Sequence, residues 1–260
     1  MSTSIKKILL VINLIGFCVS CKKSGLEKPQ SQVESLPLKE IFQGDFYIGA
    51  AINEAQIYEQ DTMAIKILKK EFNSITTENN LKWMYIEPFQ NEFNFEVSDK
   101  YVALGEKNKM HIVGHTLVWH SQIAEYMNEI KDSTAMAKAM ESHIETVVSS
   151  YNERITSVDV VKEALKEDGT LRESIFYSVL GEGYIEKAYK LAADIDPNAE
   201  LTYNDYNLCK PSKREGAVNL VKRLQKKGAK IDAVGIQAHW NLSLIHISEP
   251  TRQAEISYAV

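Results

Sequence analysis

Residues 157–169, SVDVVKEALKEDG, place a carboxylate, Glu163, at the end of a Val-rich run that has the character of a buried strand. A carboxyl group partly withdrawn from water at a strand mouth can carry a proton in hydrolytic chemistry. Other apolar runs in the chain also end in polar or aromatic residues: TTENNLKW (76–83), GHTLVWHSQ (114–122), NDYN (204–207) and QAHW (237–240). Together these ends offer Glu78, Asn79, Lys82, His115, Gln122, Glu163, Gln237 and His239, with Trp83, Trp119, Tyr206 and Trp240 among them. Aromatic faces stack on sugar rings, and amide, imidazole and ammonium groups pair with hydroxyls. A polyhydroxylated ligand is the substrate class these residues imply. Taken singly each has a plainer explanation: a strand-end salt bridge for Glu163, a solvated lysine for Lys82, core packing for Trp83 and Trp119.

The elements that must position them can be read from periodicity. Strand-like runs occur at 46–52, 72–83, 111–120, 156–164, 199–207 and 231–240, and helical spacing occurs at 61–72, 133–151, 174–194 and 213–228. Pro197 and Gly228 stand where helices stop. Alternating strand and helix implies an α/β fold with a parallel sheet. A doubly wound sheet would gather its chemistry at one switch point with a Gly-rich phosphate loop, and no such loop occurs in the sequence. Polar residues at the end of many strands instead fit the mouth of a (β/α)8 TIM barrel.

With 44% hydrophobic residues the chain can bury a sizeable core, and a net charge of −5 with scattered Lys and Arg makes nucleic acid an unsuitable partner. Residues 1–20 have a basic start (Lys6, Lys7), an apolar stretch from Ile8 to Val19 and a small residue, Ser20, before Cys21. This is a lipoprotein-type signal peptide, with Cys21 as the lipid-bearing residue and 21–37 as a flexible tether. Lipid on Cys21 is the one membrane link implied, and the location expected is exported, on the envelope or secreted. Cys209 is then left as a lone thiol, so no disulfide framework or metal cluster is expected, and no nucleotide or redox cofactor.

The quoted blocks, with VDVVKEAL, the stretch from Leu171 to Leu208, and IDAVGIQAHW, resemble the family 10 glycoside hydrolases, endo-β-1,4-xylanases, over residues 38–241. The resemblance implies a monomeric barrel acting on xylan or xylo-oligosaccharides by a retaining double displacement. It makes Glu163 the general acid/base. It places Glu78, Asn79 and Lys82 on the xylose at the non-reducing side of the cut, and His115, Trp119 and Gln122 around the sugar next to the scissile bond. Gln237 and His239 bind that sugar and orient the nucleophile, and Tyr206 is a cleft aromatic. His111 and His143 match no motif and are expected to be structural or solvated, as are the loop charges Glu167 and Asp168.

Two departures matter. The family pattern around the acid is W-D-V-V-N-E-A, and this chain has Val158 for the Trp and Lys162 for the Asn. An ammonium cannot accept a hydrogen bond, and beside Glu163 it favours the carboxylate over the acid. The family's nucleophile lies on a later strand in I-T-E-L-D, whereas residues 242–260 read LSLIHISEPTRQAEISYAV. That tail back-translates in one frame to a transposon-type sequencing adapter. The expectation is therefore a partial barrel of about six βα units, 38–241, lacking its nucleophile, inactive and poorly soluble. A non-catalytic xylan-binding lipoprotein is the alternative.

Overall fold

In the computed structural model, residues 35–239 are described. The expected signal peptide, Cys21 and all but the last residues of the expected tether lie outside them, as do Trp240 and the tail 242–260. Six strands form one sheet: β1 (Gly49–Ile52), β2 (Ser74–Thr77), β3 (His111–Trp119), β4 (Ser157–Lys162), β5 (Glu200–Tyr206) and β6 (Ala233–Gln237). Their spatial order is their chain order, and every neighbouring pair is parallel. A doubly wound sheet would reverse direction at a switch point. An order that never reverses is that of a barrel wall, here a partial (β/α)8 barrel.

Helices connect the strands. They are α1 (Leu38–Ile41), α2 (Glu54–Ile57), α3 (Thr62–Glu71), α4 (Trp83–Ile86), α5 (Glu96–Lys107), α6 (Ser133–Ser150), α7 (Ile175–Leu180), α8 (Gly183–Ile195) and α9 (Pro211–Lys226). Local chemistry sets many of their starts. The Asp61, Asp132 and Ser174 side chains accept backbone N–H groups at the starts of α3, α6 and α7, and Pro211 opens α9. The sheet is sewn to its helices by buried tyrosines: Tyr101 of α5 donates to the Ile75 and Val113 carbonyls, both at 2.8 Å, and Tyr189 of α8 to Thr202 at 3.0 Å.

The structure differs from the periodicity in three places. The expected strand 72–83 is cut to four residues, because the Thr77 hydroxyl bonds the Asn80 N–H and side chain and turns the chain into α4. The expected helix 174–194 is two helices, parted at Gly181, whose φ of +69° closes the first. No helix was anticipated at 96–107, yet α5 forms there and buries Tyr101, Val102 and Leu104.

Packing falls off from the centre of the sheet to its edges. The first five residues of β4 are buried, whereas β6 alternates between half-buried and exposed, leaving Val234 and Ile236 open. A small apolar cavity of about 20 Å³ lies outside the sheet against Gly114, Val147, Ile155 and Val158. Val158 thus borders empty space at the position where the family motif has the larger Trp.

Candidate active site

Glu163 follows β4 directly, with φ of +57°, and its N–H donates to the Asn204 carbonyl at 2.8 Å. Its carboxyl group is largely buried, and the two oxygens face different surroundings. Oε1 accepts from Gln237 Nε2 at 3.1 Å and lies 3.6 Å from Lys162 Nζ. Oε2 has no hydrogen bond among the described residues, and His120 Nε2 stands 4.0 Å away.

From Oε1 a closed ring of side chains runs across four strands. Gln237 Nε2 also donates to Asn204 Oδ1 at 2.8 Å, and Asn204 Nδ2 donates to Asp159 Oδ2 at 3.1 Å. The same Asp159 oxygen is 2.6 Å from His115 Nδ1, and His115 Nε2 is 3.4 Å from Lys162 Nζ. An ammonium can only donate, so His115 Nε2 is the acceptor and Nδ1–H points to Asp159. Lys162 then closes the ring at Glu163. Gln237, His115 and Glu163 are therefore brought together as the sequence implied, whereas Asn204 and Asp159 were missed. The signal for Asp159 was a carboxylate within the Val-rich β4, whereas Asn204 sits among other polar residues of β5 and had none.

Burial pushes the Glu163 carboxyl up. The Gln237 amide, the Trp119 indole, the Lys162 ammonium and His120 outweigh that and hold it below the ordinary carboxylate value. The indole outranks the ammonium in this, although Trp119 Nε1 makes no hydrogen bond of good geometry among the described residues. His120 itself is held low by burial and by the Arg172 charge.

A second group lies on the β2 and β3 side. Lys82 Nζ donates to Asn79 Oδ1 at 2.9 Å and to Gln122 Oε1 at 2.7 Å, joining three of the predicted residues. Two ammonium groups face the Trp119 ring, Lys162 at 4.0 Å and Lys82 at 5.4 Å from its centroid. Burial lowers the Lys82 pKa, and Lys162 lowers it further. Glu78 is exposed beside this group, and His239, also exposed, has Nε2 3.2 Å from Gln237 Oε1.

Two aromatics are placed differently from the open-cleft expectation. Trp83 is 2% exposed and stacks on His143 with centroids 3.7 Å apart, while its indole N–H donates to Tyr126 Oη at 3.0 Å, so it is a core residue. Tyr206 has the Lys213 ammonium 3.3 Å from its ring centroid and its hydroxyl bonded to Arg172. One of its faces is therefore taken. Glu167 is tied by Lys210, Lys213 and Asn207, beyond the solvated charge expected of it. Among the described residues no three His, Cys, Asp or Glu groups converge to hold a metal ion.

Fold and site together define a parallel βα barrel wall whose strand ends carry a half-bonded carboxyl group among amide, imidazole and ammonium side chains. A family model, Glycosyl hydrolase family 10, matches residues 37–257, and the chain belongs to that family. A Beta-1,4-xylanase of Dictyoglomus thermophilum is 40% identical over 238 residues, 90% of this chain and 65% of its own length. An Endo-1,4-beta-xylanase of Geobacillus stearothermophilus is 37% identical, over 80% of this chain and 64% of its own. Among solved structures, xylanase 10B from Thermotoga petrophila in complex with xylobiose superposes with a TM-score of 0.75 at 35% identity, covering 78% of this chain and 63% of that one. A psychrophilic family 10 endo-beta-1,4-xylanase gives 0.76 at 37% identity, with 80% and 67% covered. The chain spans from about a fifth to two thirds of the length of the curated relatives it matches.

Proposed function

We propose that this chain carries the acid/base half of an endo-1,4-β-xylanase that cleaves internal bonds of xylan with retention of configuration. The observation that supports it is the split environment of Glu163. Gln237 fixes Oε1, whereas Oε2 has no hydrogen bond among the described residues and stands 4.0 Å from His120 Nε2. A general acid needs one oxygen held and the other available to the leaving group. Glu163 protonates the glycosidic oxygen, and after a covalent intermediate forms it deprotonates water. The nucleophilic carboxylate is supplied by a segment that follows β6. The N-terminal leader exports the protein and places lipid on Cys21.

The Lys162 ammonium, 3.6 Å from Oε1, favours a second reading, a xylan-binding protein with a disabled acid. Reducing-sugar release from xylan and from cellulose, beside calorimetric binding of xylo-oligosaccharides, tests both. Release from xylan that Glu163→Gln abolishes supports the enzyme. Binding without release by a protein that carries the nucleophile strand supports the second reading, and neither binding nor release overturns both.

A further inference from the structure

Arg172 lies on the loop after β4, nine residues beyond Glu163, and its side chain turns back to the strand end. Nε donates to the Glu163 carbonyl at 2.9 Å and Nη2 to the Leu165 carbonyl at 3.0 Å. The Arg172 backbone N–H donates to the carbonyl between them, that of Ala164, at 2.7 Å. One residue therefore satisfies three consecutive carbonyls, beginning with that of the acid. Nη2 also donates to Tyr206 Oη at 2.8 Å, which joins the end of β4 to the end of β5.

Glu163 needs such a hold. A left-handed backbone is unfavourable for a residue with a Cβ, and it persists where its surroundings over-determine it. Those surroundings are themselves anchored. Leu165 and Leu171 pair as a short antiparallel bridge, and the Lys166 N–H bonds the Thr170 carbonyl at 2.8 Å, closing the loop on itself. Gly169, with φ of +84°, packs on α9 so tightly that a Cβ there would stand 2.3 Å from the Ser212 carbonyl oxygen. A Cβ on Gly216 of α9 would meet the Gly169 oxygen at 2.4 Å. The fully buried Lys213 pairs with Asp205 at 3.0 Å beneath the Tyr206 ring. The bracket thus runs from α9 through Tyr206 and the loop to Arg172, and from Arg172 to the backbone of the acid.

We propose that Arg172 is a positioning residue for Glu163, whose guanidinium fork fixes the backbone from which the carboxyl group projects. The fork keeps Oε1 on Gln237 and Oε2 open. Its planar geometry is what serves here, because a lysine offers one rotatable donor group where two divergent carbonyls must be met. The proposal rests on the reading of Glu163 as the acid/base.

The test uses Arg172→Lys and Arg172→Gln in the full chain. Carbon-13 carboxyl NMR, with the Glu163 resonance assigned by Glu163→Gln, follows its titration. In Arg172→Lys, which keeps the charge, the Glu163 midpoint rises by at least about half a unit as the carboxyl leaves Gln237 and Lys162. An unchanged midpoint in a folded variant overturns the proposal, and so does loss of cooperative melting in both variants, which would make Arg172 a fold residue. The second arm compares kcat/KM for xylo-oligosaccharides with that for 2,4-dinitrophenyl xylobioside, whose leaving group needs no proton. Arg172→Lys loses about tenfold or more on the first and under about threefold on the second. Equal losses overturn the proposal. A wild-type protein that carries the family's nucleophile strand yet cleaves neither substrate counts against the xylanase reading, and the titration still decides the role of Arg172.

Discussion

Glu163 and Glu87 are each set beside a histidine and a tryptophan, and the comparison shows what separates a carboxylate with an oxygen to spare from a sealed one. Glu87, at the end of α4, is sealed on every side. Its Oε1 accepts from the Asn91 N–H at 2.9 Å and from Tyr126 Oη at 2.8 Å, and its Oε2 lies 2.8 Å from His143 Nδ1. Both residues are essentially without solvent exposure. With Nδ1–H given to Glu87, His143 Nε2 is a buried lone pair without a partner, and burial keeps the imidazole from taking up a proton there. Glu163 has the same kinds of neighbours at the open end of a strand, with one oxygen bonded and the other free. Residue type is shared; the difference lies in how many lone pairs the surroundings consume.

The comparison breaks most readily at Glu163 itself. Glu163→Gln keeps the Gln237 contact possible and removes the proton, so xylan hydrolysis should fall by about 10²–10⁴-fold while the melting temperature holds. Equal stability loss at the two carboxylates would erase the distinction between them. Glu87→Ala makes the opposite trade. It strips three hydrogen bonds from a buried pair and should cost about 3–5 kcal/mol, roughly 10 °C in a calorimetric melt, with Glu163 chemistry spared in whatever stays folded.

Lys162→Asn sharpens the cleft side. Burial raises the Glu163 pKa and the amide, indole, ammonium and imidazole neighbours lower it. Removing the ammonium therefore raises it. A general acid works protonated, so the basic limb of the kcat/KM profile should move to higher pH. The rate at neutral pH should gain about tenfold as one acceptor for a sugar hydroxyl is restored. A limb that stays in place would show that Lys162 does not govern this acid. The smallest effect belongs to packing far from either carboxylate: Val158→Leu, filling the cavity of about 20 Å³ beside it, should stabilise by about 1 kcal/mol with no change in rate. A loss would mean that the surrounding helices have already closed on the space.

Much of this was legible in the chain. Val-rich β4 and the amphipathic α6 announced themselves because their periods match their burial, and each strand end was marked by a change from apolar to polar residues. The fate of Trp83 was not legible. Its place in TTENNLKW fits a cleft platform as well as a core residue, and the turn made by Thr77 and Asn80 decided for the core. Tyr206 was readable as an aromatic in the right region, yet Lys213, seven residues on, occupies one face of it. Helix α5 escaped because two of its five buried positions are Ser98 and Gly105, which blur the apolar period, and its outer face is strongly charged.

What the sequence by itself determined is the alternation of strand and helix and the family, since both are carried by short-range pattern and by motif. The tertiary structure alone decided which lone pairs remain free. The ring from Glu163 through Gln237, Asn204, Asp159, His115 and Lys162, and the grip of Arg172 on three carbonyls, join residues from four strands and a loop. Hydrogen bonds of that kind depend on positions in space to within a few tenths of an ångström, and no periodicity along the chain records them.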